Sequence, residues 1–218
     1  MKIIAIGVAA TLSAIAPSIA QQKAQTFQQI LEMMAGTTAV LAYPQFADGQ
    51  LGSCLIEFSA ITQDNVYRQG AYSKFFGSFG VMQAKGNLAV TLKVVVHDIN
   101  IKTGEFKPNS PANSYFIFGA QSSKAELVGN YPSDTPGAQF SVFRPLPTFE
   151  KLSEALDKGV VSVAFNRKDG GMDLIVPIDV TVVSTSDTGK RSHSSKMVDD
   201  FYKCSAELAK AARAGASN

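Results

Sequence analysis

The chain has 218 residues, with 20 Lys and Arg against 18 Asp and Glu, two histidines, two cysteines and no tryptophan. A formal net charge of +2 supplies no strong field for gathering nucleic acid, so no nucleic-acid partner is expected. The length suits one domain with a sizeable core, and the lack of indole removes the favoured stacking surface of a sugar-binding platform.

The chain opens MKIIAIGVAATLSAIAPSIA, with a basic start at Lys2, an apolar run from Ile3 to Ile15, a breaker at Pro17 and small residues at Ser18 and Ala20. This pattern reads as a secretory signal over residues 1–20, with the mature chain starting at Gln21 in the periplasm or outside the cell. The run is too short to cross a hydrocarbon layer of about 30 Å, and no transmembrane segment is expected in the mature chain.

Residues 21–36 read as an amphipathic helix, with Phe27, Ile30, Leu31 and Met34 on one stripe and Gly36 placed to end it. Residues 37–52, beginning TTAVLAYPQFADG, read as a connecting segment. A single β-rich domain is expected over 53–214. Its first strand alternates Cys54, Ile56 and Phe58 against Leu55, Glu57 and Ser59, and a second sets Leu88, Val90, Leu92, Val94 and Val96 on one face. YFIFGAQ and AQFSVFRP add shorter strands, the latter ended by Pro145 and Pro147. GNYPSDTPGAQ reads as turn punctuation.

The segment TFEKLSEALDKG is a helix with Thr148 as its N-cap and Gly159 at its end; VVSVAFNRKDGGMDLIVPIDVTVV follows as a hairpin turning at Lys168 to Gly171. Pro177 withholds one ladder donor, which places its strand at an edge or a bulge. The polar stretch STSDTGKRSHSS leads into a last helix whose inward face carries Met197, Phe201, Cys204 and Leu208. The fold class is therefore mainly β with α elements: an antiparallel sandwich braced by two or three helices and closed by the C-terminal one.

In an oxidising compartment Cys54 and Cys204 are each other's only possible partner, and a disulfide is the economical reading; two buried thiols, or a reactive Cys204, are the alternatives. No catalytic residue stands out. His97 and Asp98 are neighbours in a strand and point to opposite faces, His193 lies in a polar loop, and no G-x-S-x-G elbow or phosphate-cradling glycine motif occurs. Two distant histidines without a cysteine cluster give no metal or cofactor expectation. Two features bear on binding. VYRQGAYSKFFGSFGVM gathers Tyr67, Arg68, Tyr72 and Phe76, and GKRSHSSK gathers Lys190 and Arg191; together they are the candidate surface.

Over Phe149 to Val183, a short helix ending in Gly, a V-x-V-x-F strand, a Gly-rich turn and an apolar return strand resemble the C-terminal part of exported proteobacterial proteins of the invasion-associated locus B type. The resemblance implies a periplasmic β-sandwich and supplies no functional residue. The expectation is a non-catalytic envelope binding module, its partner an envelope protein or an anionic envelope glycolipid, with an enzyme acting on an envelope substrate as the alternative. Its oligomeric state stays open.

Overall fold

The structure, a computed structural model, describes residues 26–84, 87–133 and 135–215. The signal read over residues 1–20 and the mature start at Gln21 lie outside the described residues.

The first element is α1 (Phe27–Met34). The Thr26 hydroxyl accepts from the Gln29 N–H at 3.3 Å, while the Gln29 carboxamide oxygen accepts from the Thr26 N–H at 2.9 Å. This reciprocal box satisfies two N–H groups that the helix leaves without partners. The residues read as a connector form β1 (Gly36–Ala47) instead, which turns back into β2 (Gln50–Asp64). Asp48 and Gly49 both have positive φ, 50° and 76°, the signature of a two-residue type I′ hairpin. Pro44 is tolerated because β1 ends its sheet.

β3 (Ala71–Ala84) and β4 (Asn87–Ile99) continue the meander. Then come β5 (Phe106–Pro108), β6 (Asn113–Phe118), β7 (Gln121–Ser122), β8 (Leu127–Pro132) and β9 (Ala138–Phe143). The stretch read as turn punctuation thus contributes most of β8. α2 (Pro145–Asp157) begins at the prolines that were expected only to end β9. Proline fits a first helical turn, where its missing donor is not needed. Thr148 accordingly sits inside the helix rather than at its cap, buried, and its hydroxyl finds no partner among the described residues.

β10 (Val160–Asn166) and β11 (Leu174–Asp179) form the expected hairpin, with Pro177 opposite Ser162 on an edge strand. The polar loop folds into a small hairpin, β12 (Val182–Thr185) and β13 (Arg191–His193), before α3 (Lys196–Gly215).

All ladders are antiparallel. The large sheet runs β1-β2-β3-β4-β9-β8, with β5 added beside the end of β4; the second runs β11-β10-β6-β7. The core lies between them. Phe75 of the large sheet stacks on Phe165 of the second at 5.3 Å, and Phe79 meets Phe116 edge-on at 5.8 Å. Such pairs add to the burial of their area. α2 and α3 close the same side, and Cys54 is bonded to Cys204 with α-carbons 5.7 Å apart, so the crosslink ties α3 to β2.

At the end of the sandwich where β2 turns into β3, charges knit the layers. Arg167, on the loop after β10, donates through Nε to Asp64 at 2.6 Å and through Nη2 to Asp98 at 2.7 Å. Asp64 also accepts from the N–H groups of Val66 and Tyr67, and Asp98 accepts from Asn109 at 2.9 Å. Every carboxylate of the cluster is therefore paired, as buried charge requires.

Candidate functional site

The inward residues of β2, namely Cys54, Ile56, Phe58 and Ala60, are buried in the core. The strand period then sends Ser53, Leu55, Glu57 and Ser59 to the opposite face of the large sheet, which neither the second sheet nor α2 or α3 covers. There the register aligns transverse rows. One row reads Leu41, Glu57, Ser78, Lys93, Phe140 and Tyr131 from β1 to β8. The neighbouring row passes through Tyr43, Leu55, Gly80 and Thr91, and the one on the other side through Ser59, Phe76 and Val95.

The outward side chains of β3 are large at Phe76 and Met82 and small between them, at Ser78 and Gly80. A groove of about 320 Å³ results, crossing the strands with Phe76 and Met82 as walls and Tyr43 and Phe140 toward its two ends. Leu55, Thr91 and Val95 are buried at its floor. Gly80 is required by close approach: a Cβ there would stand 2.0 Å from the Cys54 carbonyl oxygen.

The charges of the groove are sparse. The Glu57 carboxylate is exposed and has no hydrogen bond or ion pair among the described residues. Lys93 reaches the Thr135 hydroxyl at 3.0 Å, which aims its ammonium along the groove's far end. Burial first, and the nearby Glu57 charge second, push the Tyr43 phenol above its ordinary value of 10.0, so it is a neutral hydroxyl across the physiological range. Phe76 presents its ring edge-on to His97 at 5.2 Å and carries the Lys74 ammonium 5.0 Å from its centroid.

Of the residues singled out in the sequence, Phe76 alone lines this groove. Tyr67 donates its hydroxyl to the Met172 carbonyl. Arg68 bonds the Tyr72 carbonyl at 3.0 Å and pairs with Asp98 at 3.1 Å. Tyr72 is buried with Leu31 and Ile99 under α1. The Arg191 guanidinium holds the carbonyls of Ala35 and Thr37 at 2.5 and 2.8 Å, so it secures the junction of α1 and β1. Lys190 remains exposed at the tip of the β12–β13 hairpin. The expected surface is thus not one patch: Arg68 and Tyr72 border a separate cavity of about 630 Å³, Tyr67 is tied to Met172, Arg191 secures the α1–β1 junction and Lys190 stands at a hairpin tip.

Glu57, Lys93, Tyr43, Met82 and Phe140 were not anticipated as a set. Their signal was present in part, since Glu57 and Lys93 interrupt apolar strands on the face opposite the core. Alternation assigns a face but not which strands lie side by side. The expected bridge of Cys54 and Cys204 is formed, and no group of three or more potential metal ligands occurs among the described residues. No protein-family model, curated protein or solved structure matches the chain.

Proposed function

We propose that the chain is an exported binding protein of the cell envelope that performs no chemistry of its own and takes its ligand in the groove on the open face of the large sheet. The observation that carries this reading is the contrast between the two faces. One is sealed by the second sheet, α2 and α3, whereas the other presents half-buried aromatic side chains and a carboxylate without an ion-pair partner among the described residues around a groove. Apolar walls with a few placed polar groups are the usual make-up of a ligand site.

The titratable groups there favour binding over catalysis. Glu57 and Lys93 stand two strands apart, and the Tyr43 phenol is held in its neutral form. No nucleophile with an adjacent base is assembled from them. The disulfide supports an oxidising location, and no described helix is long and apolar enough to cross a membrane. The resemblance of Phe149 to Val183 to invasion-associated locus B proteins agrees with that compartment.

The test is crosslinked capture from an envelope extract with the native protein and with Ser78→Trp, which fills the groove from the face away from the core. A species captured by the native protein and lost with the variant supports the reading. Equal capture by both, or no captured species, overturns it.

A further inference from the structure

We propose that the groove recognises a short zwitterionic peptide, with its free ammonium at Glu57 and its free carboxylate at Lys93. The inference rests on the binding role of the open face and names its ligand class. Three observations converge on it.

The first is the spacing of charge. Glu57 on β2, Ser78 on β3 and Lys93 on β4 are consecutive in one transverse row, so the backbones that carry the two charges are separated by two strand steps, about 10 Å at 4.7–4.9 Å each, and Lys93 extends its ammonium to Thr135. An extended chain advances about 3.3–3.6 Å per residue, and a peptide of two or three residues therefore matches the scale of that strand spacing.

The second is that these charges are available. Glu57 has no partner among the described residues, and Lys93 is held by the neutral Thr135 hydroxyl rather than by a carboxylate. The pair would neutralise each other if adjacent; Ser78 keeps them apart. Lys74 lies on the Glu57 side but has its ammonium over the Phe76 ring, and it borders the adjoining depression beyond Phe76, which Glu57 also lines.

The third is the wall chemistry. Phe76, whose ring already carries the Lys74 ammonium, adds an apolar wall beside the Glu57 carboxylate. Tyr43 offers a hydroxyl donor and acceptor near the same end, and Met82, whose thioether adapts to varied side chains, forms the opposite wall. This arrangement fixes the termini of a peptide and leaves its side chains loosely specified.

Binding is measured by calorimetry on the purified protein with trialanine, N-acetyl-trialanine and trialanine amide. Trialanine is expected to bind, and blocking either terminus to weaken it by about tenfold or more, as loss of a charge-assisted hydrogen bond does. Glu57→Gln is expected to weaken trialanine by a similar factor while leaving N-acetyl-trialanine unchanged, and Lys93→Gln to do the same for the C-terminal pair. Both side chains lie outside the core, and unaltered thermal unfolding of the variants verifies that they fold. Equal affinity for free and blocked peptides, or no response to either substitution, overturns the peptide assignment. If trialanine fails to bind while Ser78→Trp still abolishes envelope capture, the groove is a binding site and the ligand class is wrong; if Ser78→Trp leaves capture intact, the binding role of the face falls with it.

Discussion

Arg167 and Asp64 meet at 2.6 Å, joining the loop after β10 to the end of β2, with the Asp64 side chain fully buried and that of Arg167 9% exposed. One guanidinium thereby spans two carboxylates, because its other edge bonds Asp98. Arg167→Met strands Asp64 without its counter-charge and is expected to cost about 3–5 kcal/mol in urea unfolding. Arg167→Lys is expected to fall between native and Met, since an ammonium cannot hold both partners in the same geometry. A loss below about 1 kcal/mol for the Met variant would place the pair among energetically idle ones.

The same cluster sets an acid limit. Burial pulls the Asp98 carboxyl upward, but hydrogen bonds from Asn109 and Arg167, with the charges of Arg167 and Arg68, outweigh it and hold the group below its ordinary 3.8. A depressed folded value contributes stability that is fully present above the unfolded pKa and disappears as pH falls through the folded one. Asp98→Asn is therefore expected to be less stable than native at neutral pH and to converge with it in strong acid, as followed by denaturant midpoints from neutral pH down to about 2.

Replacing Cys54 or Cys204 with serine removes a crosslink that closes a separation of 150 residues. Either change is expected to cost about 2–5 kcal/mol, and the double replacement little more than one alone, because a single bond is lost in each case. Amide exchange should rise first in α3. Unchanged exchange there would mean that Phe201 and Leu208 suffice to hold the helix.

Gly80→Ala is expected to be strongly destabilising. The new methyl would stand 2.0 Å from the Cys54 carbonyl oxygen, so β2 and β3 must separate where they carry both the groove and the crosslink. Gly77 is a parallel case, with the Lys93 carbonyl oxygen 1.9 Å from the added atom. A small change in melting temperature for both variants would show that the sheet can open without loss.

α1 is held by Leu31 in a small cluster with Tyr72 and Ile99, apart from the main core, and by Arg191 on its last carbonyls. Leu31→Ala is expected to raise amide exchange over residues 27–34 by about tenfold or more while the β core keeps its protection. Equal loosening of β3 and β4 would show that the helix is part of the core's cooperative unit.

The strands with strict alternation were legible in the sequence, as were α3 with its inward cysteine and the α2–β10–β11 unit. Hydrophobic period reports burial directly. β1 was not read, because Pro44 and the small residues before it look like a linker, and the Asp48–Gly49 turn was the signal that outweighs them. β8 was hidden in a Gly, Asn and Pro stretch whose edge position relaxes strand preference. The groove was out of reach for a different cause: it is made by residues from five strands, and only strand order and register bring Glu57, Ser78 and Lys93 into one row. The dispersed Tyr67, Arg68, Tyr72 and Arg191 carry the same lesson, since composition identifies what a side chain can bind but not the backbone carbonyl already in front of it.

The position of the two half-cystines also imposes an order of events on biosynthesis. Cys204 follows Cys54 by 150 residues, so the bridge cannot close before α3 has been made, and until then Cys54 lacks this partner. In the finished fold Cys54 is wholly buried and Cys204 is partly buried against the core. Thiol–disulfide exchange makes the bridge through a mixed disulfide at one cysteine that the other displaces, and α3 is tied to β2 only when that second step is complete. A chain interrupted before α3 has no second sulfur to offer, and its unpaired Cys54 marks it as unfinished.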